Sequence, residues 1–199
     1  MEGADIADAE PVAFGSHQRQ MQEGLRHRRN RAVAIDPLGL DVGDHIAIFA
    51  ENHVRYFEVY WAAMRSGLYL TAVNRYLSPE EAAYLVDDSG SSVLITTAAM
   101  ADTASAMLEH IPNCPTRLMI DGAVDGFDSY EELVGAASPE RLAEEPAGDI
   151  MLYSSGTTGR PKGVKHKFAG LALGTPDGLT MLILGLFGGK QDSVYLSPA

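Results

Sequence analysis

The residues best suited to chemistry lie in one stretch, residues 150–165, which reads I-M-L-Y-S-S-G-T-T-G-R-P-K-G-V-K. An apolar run typical of a buried strand precedes a loop that is rich in glycine and hydroxyl groups. Glycine lets a backbone fold tightly around a ligand, and successive amide N–H groups can then point at phosphate oxygens. Lys162 adds a mobile positive charge that suits a polyphosphate. The stretch therefore predicts an anion-binding loop.

The candidate phosphate ligands share a hydroxyl group, a flexible backbone or a positive charge. They are Ser154, Ser155, Gly156, Thr157, Thr158, Gly159 and Lys162. The spacing differs from the common P-loop, which places a glycine before the lysine and a magnesium-binding hydroxyl after it. Here Pro161 precedes Lys162 and Gly163 follows it, so a Walker-type nucleotidase is a poor match. A flexible Gly/Ser/Thr linker is the alternative, but it does not account for the preceding apolar run or the nearby cations.

Residues 153–164 closely resemble the signature loop of the adenylate-forming enzymes. This superfamily includes acyl-CoA synthetases, luciferases and the adenylation domains of peptide synthetases. The resemblance implies that the loop holds the β- and γ-phosphates of ATP and that Lys162 stabilises charge during catalysis. It also implies that Thr157 and Thr158 bind phosphate or help to position Mg²⁺. Arg160 has no implied role, and Gly163 is interpreted as permissive backbone.

The resemblance continues upstream through short segments that match bacterial acyl-CoA synthetases in order and spacing. These segments are Glu51-Asn52-His53, Gly67, Asn74-Arg75, Leu77-Ser78-Pro79-Glu80-Glu81 and Val93-Leu94-Ile95. They favour the branch that activates fatty acids or other carboxylic acids. The implied substrates are a carboxylic acid, ATP and CoA, with Mg²⁺ as cofactor. In the implied reaction the acid attacks the α-phosphate of ATP, and CoA then displaces AMP from the acyl-adenylate.

Members of this superfamily are several hundred residues long, so we expect this 199-residue chain to be an N-terminal fragment or a truncated gene product. The resemblance places an aromatic–Thr–Glu segment, the ribose-binding aspartate and a catalytic lysine beyond Ala199. Complete turnover by this chain alone is therefore not expected. Two other hypotheses stay open. One is a non-catalytic fragment or module that binds nucleotide weakly, and the other is an adenylating ligase acting on aryl or amino acids.

The chain upstream of the loop predicts an α/β layer. Apolar runs of strand length recur about every two dozen residues, and helical patterns lie between them. This alternation predicts βαβ crossovers and a doubly wound, largely parallel sheet. The expected divisions are a poorly defined arm (1–40), the α/β layer (41–136), an exposed acidic connector (137–149), and a strand, phosphate loop and start of the next subdomain (150–199).

The first helix is predicted after the first strand. Asn52 can serve as its N-cap, because a side-chain oxygen there can accept from an amide of the first turn. Its predicted buried stripe has helical spacing and consists of Val54, Phe57, Trp61 and Met64. The pattern therefore predicts that the large apolar side chains of this helix face the sheet.

Three further helices have recognisable signals. Ser78 and Glu81 form a predicted capping box, and a proline follows Ser78 at the first helical position. Ser129 and Glu132 form a second predicted capping box. Residues 179–187 are apolar and predict a buried helix that spans only about half a membrane.

Composition excludes several functional classes. The chain is 46% hydrophobic and 21% charged, which is typical of a globular protein. Its net charge of −12 argues against general binding to nucleic acid. The single cysteine, Cys114, excludes an intramolecular disulfide and fits a reducing compartment. The acidic N-terminus lacks the apolar core of a secretory signal, so we predict a cytoplasmic protein without a transmembrane segment.

Two groups of basic residues have simple interpretations. Arginines and histidines concentrate within residues 17–31, where a solvated or disordered arm is favoured over an anion-binding arm. The six histidines of the chain show no metal-ligand spacing, so the metal ligands are unknown. His166, which follows the loop, is interpreted as a solvated surface residue.

Overall fold

The computed structural model describes residues 38–137, 142, 144–154, 159–168, 170–176 and 178–188. Within these residues a seven-stranded sheet has the order β5-β4-β3-β1-β2-β6-β7. Its strands are β1 (His45–Phe49), β2 (Tyr69–Val73), β3 (Val93–Thr97), β4 (Thr116–Ile120), β5 (Asp128–Ser129), β6 (Asp149–Ser154) and β7 (Lys162–Val164). Neighbouring strands are parallel except for β6 and β7, which are antiparallel. The predicted doubly wound, largely parallel sheet is confirmed.

The described α-helices lie between the strands or follow the last of them. They are α1 (Tyr56–Arg65), α2 (Pro79–Asp88), α3 (Ala101–Met107), α4 (Tyr130–Ala136) and α5 (Gly178–Phe187). Short 3₁₀ turns flank α3 on both sides. The order of strands and helices is that of successive βαβ units.

The sheet has a hydrophobic core on each face. In β1, Ile46 and Ile48 belong to the core that includes α1 and Tyr130 of α4, whereas Ala47 and Phe49 belong to the core that includes α2 and α3. Successive side chains of a strand point to opposite faces, so a strand covered by helices on both faces is apolar throughout. This explains the continuous apolar runs in the sequence.

The capping signals are confirmed for α2 and only half correct for α4. The Ser78 amide donates to Glu81 Oε2 at 2.9 Å, and the Glu81 amide donates to Ser78 Oγ at 3.3 Å. In α4 the Glu132 amide donates to Ser129 Oγ at 3.3 Å, but the carboxylate that Ser129 contacts belongs to Glu131, at 3.4 Å. That bond uses the Ser129 hydroxyl, so it does not replace the bond from the Ser129 amide that would complete a capping box.

The buried stripe predicted for α1 is wrong at three of its four positions. Val54, Phe57 and Trp61 are 56%, 64% and 44% exposed, whereas Met64 is buried. The large apolar side chains therefore lie mainly on the outer side of the helix. Their spacing identified a helix correctly but assigned its inner face incorrectly.

Small residues explain how α1 packs. Val59, Ala62 and Ala63 are fully buried and also repeat with helical spacing. Small side chains let the helix approach the sheet closely, and Phe57 and Trp61 turn outward. The helix also begins later than predicted, with Arg55 at the N-cap position and no side-chain capping bond, so Asn52 is not its cap.

Two predictions of burial near the end of the chain are also wrong. The predicted helix is present as α5, but its large side chains are 43–82% exposed at Met181, Leu182, Leu184, Leu186 and Phe187. The predicted strand is present as β6, yet Leu152 is 61% exposed while Met151 is buried. Apolar runs identified the type of element in both cases. Burial depends on a covering element, which composition does not show.

The predicted exposed connector is packed at its C-terminal end. Glu145 forms an ion pair with Arg65 of α1, and the two side chains are only 8% and 11% exposed. Gly148 packs closely against the backbone at the end of α1 and before β2. A Cβ at Gly148 would be 2.5 Å from the Leu68 carbonyl oxygen and 2.6 Å from that of Ala63. The connector therefore fixes the start of β6 against α1 and β2. The domain boundaries themselves stay predictions.

Replacing Gly148 with alanine should destabilise the fold. The new methyl group meets backbone oxygens, which cannot move without shifting α1 or β2, so we expect a loss of about 1–3 kcal/mol in the free energy of unfolding. Gly135 in α4 is a matched control, because a Cβ there meets no heavy atom within 4 Å. Gly135→Ala should be neutral or stabilising by up to about 1 kcal/mol. Urea unfolding that shows equal stabilities for the two variants would contradict this packing.

Candidate functional site

The motif loop begins and ends in the β6–β7 hairpin. Ser154 at the end of β6 pairs with Lys162 at the start of β7, so the structure brings these two predicted ligands together. Gly159 has a φ of 118°, which favours glycine, and Lys162 is exposed. The other predicted ligands lie outside the described residues: Ser155, Gly156, Thr157 and Thr158. The loop is at the carboxyl edge of the sheet, where parallel α/β folds bind ligands.

Helix α2 contacts the chain on both sides of the loop. The Tyr153 hydroxyl donates to Asp88 Oδ2 at 2.7 Å. The Tyr84 hydroxyl lies 3.3 Å from Asp88 Oδ1 and 3.2 Å from the Pro161 carbonyl oxygen, so it has two acceptors within reach. The Arg160 guanidinium lies 5.1 Å from the centre of the Tyr84 ring. Burial, followed by the nearby Asp88, raises the pKa of both Tyr153 and Tyr84.

Gly163 lies close to two side chains of β6. A Cβ at this position would lie 3.1 Å from Cζ of Tyr153 and closer still to Cε of Met151. The interpretation of Gly163 as permissive backbone was therefore incomplete. The missing side chain lets β7 lie directly against the Tyr153 ring.

A second set of contacts holds the chain where it leaves β7. The Tyr69 hydroxyl donates to the His166 carbonyl oxygen at 2.7 Å, and the Tyr69 ring stacks on His45 with centroids 4.7 Å apart. Lys165 Nζ lies 2.8 Å from His45 Nε2 and 4.8 Å from the Tyr69 ring centre. His166 is 78% exposed, as predicted, with Nδ1 3.4 Å from Asp149 Oδ2. β7 is therefore tied to the amino ends of β1 and β2.

Burial and the Lys165 contact both favour the neutral form of His45. Burial is the main cause that lowers its pKa, and the Lys165 charge lowers it further, while Asp44 raises it. Because the lysine can only donate, Nε2 of His45 accepts and Nδ1 carries the proton. Protonating Nε2 would place two cations within hydrogen-bonding distance of each other.

The carboxyl ends of β1 and β4 carry a second polar cluster. His53 Nε2 lies 3.0 Å from Asp121 Oδ2. The Arg55 guanidinium lies 3.3 Å from Glu131, 3.9 Å from Glu58 and 4.0 Å from Asp121. Crevices at the switch point of a doubly wound sheet often bind ligands. Here the carboxylates outnumber the cations, so the cluster is less suited to polyphosphate than the β6–β7 loop.

Three further features of the described residues are the cysteine, the potential metal ligands and the potential membrane spans. Cys114 is buried, and burial raises its pKa to about 11, although Arg117 opposes the shift. Among the described residues, no three His, Cys, Asp or Glu side chains are grouped so that they could hold a metal ion. In the same part of the chain, no helix has the length and apolar character needed to cross a membrane.

Comparison with known proteins shows the family. Residues 12–199 match the AMP-binding enzyme family. The chain belongs to that family. A long-chain-fatty-acid–CoA ligase of Thermus thermophilus is 32% identical over 159 residues, which cover 79% of this chain and 29% of that protein. A 3-hydroxybenzoate–CoA ligase of Aromatoleum sp. is 31% identical over 167 residues, which cover 82% of this chain and 30% of that protein.

The fold also matches solved structures. The anthranilate CoA ligase AuaEII, in complex with anthranoyl-AMP, superposes with a TM-score of 0.63 at 22% identity. The match covers 72% of this chain and 29% of that one. This likeness shows a shared fold, and the chain spans less than a third of the length of these relatives.

The sequence prediction missed the residues that hold the loop. Tyr84 and Asp88 are four positions apart on α2, so helical spacing could have placed them on one side of the helix. Nothing in the sequence indicates that this side meets Tyr153. His45 and Tyr69 were likewise missed, because their contact with Lys165 joins residues about a hundred positions apart.

Lowering the pH should destabilise the folded chain through His45. The folded state resists protonation of His45, whereas the unfolded state binds a proton near the ordinary value of 6.5. The free energy of unfolding should therefore fall as the pH drops below about 6.5. His45→Gln should flatten this dependence, whereas His110→Gln, at an exposed histidine, should not. Denaturation between pH 8 and pH 5.5 that gives parallel curves for wild type and His45→Gln would contradict the assignment.

Proposed function

We propose that this chain is the N-terminal part of an ATP-dependent acid–CoA ligase and that its β6–β7 loop binds the β- and γ-phosphates of ATP. The observation that supports this most directly is the pairing of Ser154 with Lys162 across the hairpin. It places a hydroxyl and a cation of the family motif at the two ends of one glycine-rich loop. The membership of the chain in the AMP-binding family supports the same assignment.

The proposed reaction activates a carboxylic acid in two steps. The carboxylate oxygen attacks the α-phosphorus of ATP, the bond to the β-phosphate oxygen breaks, and pyrophosphate leaves with its electron pair. The thiol sulfur of CoA then attacks the acyl carbon of the acyl-adenylate, so a thioester forms, AMP leaves and the thiol proton is released. This chain contributes to the first step by holding the phosphates that depart.

The role of this chain is electrostatic and positional. Lys162 offsets negative charge that accumulates on the departing pyrophosphate, which is the main form of catalysis available in phosphoryl transfer. Ser154, Ser155, Thr157 and Thr158 supply hydroxyl groups, and Gly156 and Gly159 let the backbone approach the phosphates. Mg²⁺ enters this proposal as the counter-ion of ATP, and no step is assigned to it.

A fatty acid is the first candidate substrate and an aryl acid the second. The Thermus relative is named for long-chain fatty acids, and its similarity supports the first candidate. The Aromatoleum relative is named for 3-hydroxybenzoate and covers slightly more of this chain, which supports the second. The cytoplasmic location is part of the same proposal. Thioester assays with both classes of acid distinguish the candidates in a full-length enzyme that carries this segment.

ATP binding tests the proposed role of Lys162. Calorimetry with ATP and Mg²⁺ should show binding to the wild-type chain that Lys162→Ala weakens about tenfold or more, because a charge-assisted contact is lost. Lys167→Ala is the matched control, since it removes the same charge from an exposed residue outside the motif. Its affinity for ATP should stay within about twofold of wild type.

Two results would contradict the proposal. If the two lysine variants weaken ATP binding equally, the affinity for ATP depends only on the net charge near the hairpin. Wild-type protein that is folded but binds no ATP would show that this chain does not form the phosphate site. Inorganic pyrophosphate is a useful second probe, because it carries the same kind of phosphate pair without the nucleoside.

A further inference from the structure

We propose that Tyr84, Asp88 and Tyr153 form a clamp that positions the phosphate loop. This tyrosine clamp rests on the proposed function, because it acts on the loop assigned there to the phosphates of ATP. Its members touch neither ATP nor the acid in this proposal. They are positioning residues that act through the two ends of the loop.

The clamp joins both ends of the loop to side chains of helix α2. Tyr153 lies immediately before the loop, and its hydroxyl donates to Asp88 Oδ2 at 2.7 Å. Pro161 lies at the end of the loop, and its carbonyl oxygen is 3.2 Å from the Tyr84 hydroxyl. That hydroxyl also lies 3.3 Å from Asp88 Oδ1. One helix therefore sets the separation of the two loop ends.

The register of the sheet shows why the loop needs this support. β6 pairs with β2 only as far as Met151, which lies opposite Thr71. Beyond that point the described ladder of β6 continues only to β7, from Leu152 to Ser154. A short two-stranded ribbon is marginally stable by itself in water. The clamp ties this ribbon laterally to α2.

Packing around the two tyrosines favours the clamp geometry. The Tyr153 ring lies against Gly163 of β7, where a Cβ would be 3.1 Å from its Cζ atom. Tyr153 and Tyr84 also pack against the same hydrophobic core. The Arg160 guanidinium, 5.1 Å from the Tyr84 ring centre, adds a cation–π contact from within the loop. Both hydroxyls are protonated at neutral pH and can donate, and burial followed by Asp88 raises the pKa of each further.

When the two ends of the loop are already fixed, less conformational entropy is lost as the loop becomes ordered on binding phosphate. Pre-organisation improves affinity by reducing this cost, without any new contact to the ligand. Loosening the clamp should therefore weaken ATP binding even though every predicted phosphate ligand is retained. The overall stability of the chain should change little in the Tyr→Phe variants, because they keep the rings that pack against the core.

Hydrogen exchange tests the clamp without nucleotide. Amides of residues 152–154 and 162–164 should exchange at least about fivefold faster in Tyr153→Phe and Tyr84→Phe than in wild type, while amides of β1 to β4 keep their rates. Asp88→Ala, which removes the acceptor of the Tyr153 hydroxyl, should have the same effect. Asp87→Ala is its matched control, because Asp87 lies on the same helix and accepts from Asn113 at 3.0 Å. Unchanged exchange near the loop in the clamp variants would overturn the inference.

ATP calorimetry on the same variants tests whether the clamp positions the site. Tyr153→Phe and Asp88→Ala should each weaken ATP binding about threefold to tenfold, and the double variant should be no weaker than Asp88→Ala. Two residues acting through one contact give this non-additive result, whereas independent structural damage adds. Faster exchange with unchanged ATP affinity, or additive losses, would overturn the positioning role.

The two proposals fail in different ways. If folded wild-type protein binds no ATP, the proposed function fails, and the exchange rates still decide whether the clamp holds the loop ends. If wild type binds ATP and Lys162→Ala weakens it, but the clamp variants match wild type in both measurements, only the clamp is overturned.

Discussion

The pairing of β6 with β2 is the constraint on which the proposed site depends. Three residue pairs place β6 beside the first βαβ unit, beginning at Tyr69 opposite Asp149. The pairing is possible because Gly148 has no side chain and can lie against the carbonyl oxygens of Ala63 and Leu68. Without it, the motif loop would not reach the carboxyl edge of the sheet. The position of the loop therefore depends on how β6 packs against β2 and α1.

Strand β7, which follows the loop, is held in place by contacts near both of its ends. At one end the helix α2 contacts Pro161, and at the other end Tyr69 of β2 contacts His166. Both contacts are hydrogen bonds from tyrosine hydroxyls to backbone carbonyl oxygens, so they hold the chain whatever side chains the loop carries. Lys162 lies between the two contacts. A mobile side chain on a held backbone suits a group that must follow phosphates during a reaction.

Sequence patterns predicted the fold well where the signal was local. The capping box of Ser78 and Glu81 depends on atoms three residues apart, and it was confirmed. The choice of the inner face of α1 was wrong because two sets of residues share the same helical period. Large side chains such as Trp61 look like core residues, but close packing on the sheet selected small ones such as Ala62. The helical spacing of apolar residues does not show which of the two sets packs against the sheet.

The candidate site shows the same difference between local and long-range features. The motif from Ser154 to Lys162 was recognisable because its residues are consecutive, whereas its supports come from distant parts of the chain. Asp88 and Tyr153 are 65 positions apart, and His45 and Lys165 are 120 apart. Contacts of this kind depend on strand order and register. A single sequence therefore predicts the loop but not what holds it.

The most direct test of the central claim is an amide chemical-shift titration of the chain with ATP by NMR. We expect the largest shifts on residues 154–163, with smaller changes at Tyr84 and Asp88 on α2. The competing location is the charged cluster around His53, Arg55 and Asp121 at the ends of β1 and β4. Largest shifts in that cluster, with the β6–β7 hairpin unchanged, would contradict the assignment of the phosphate site.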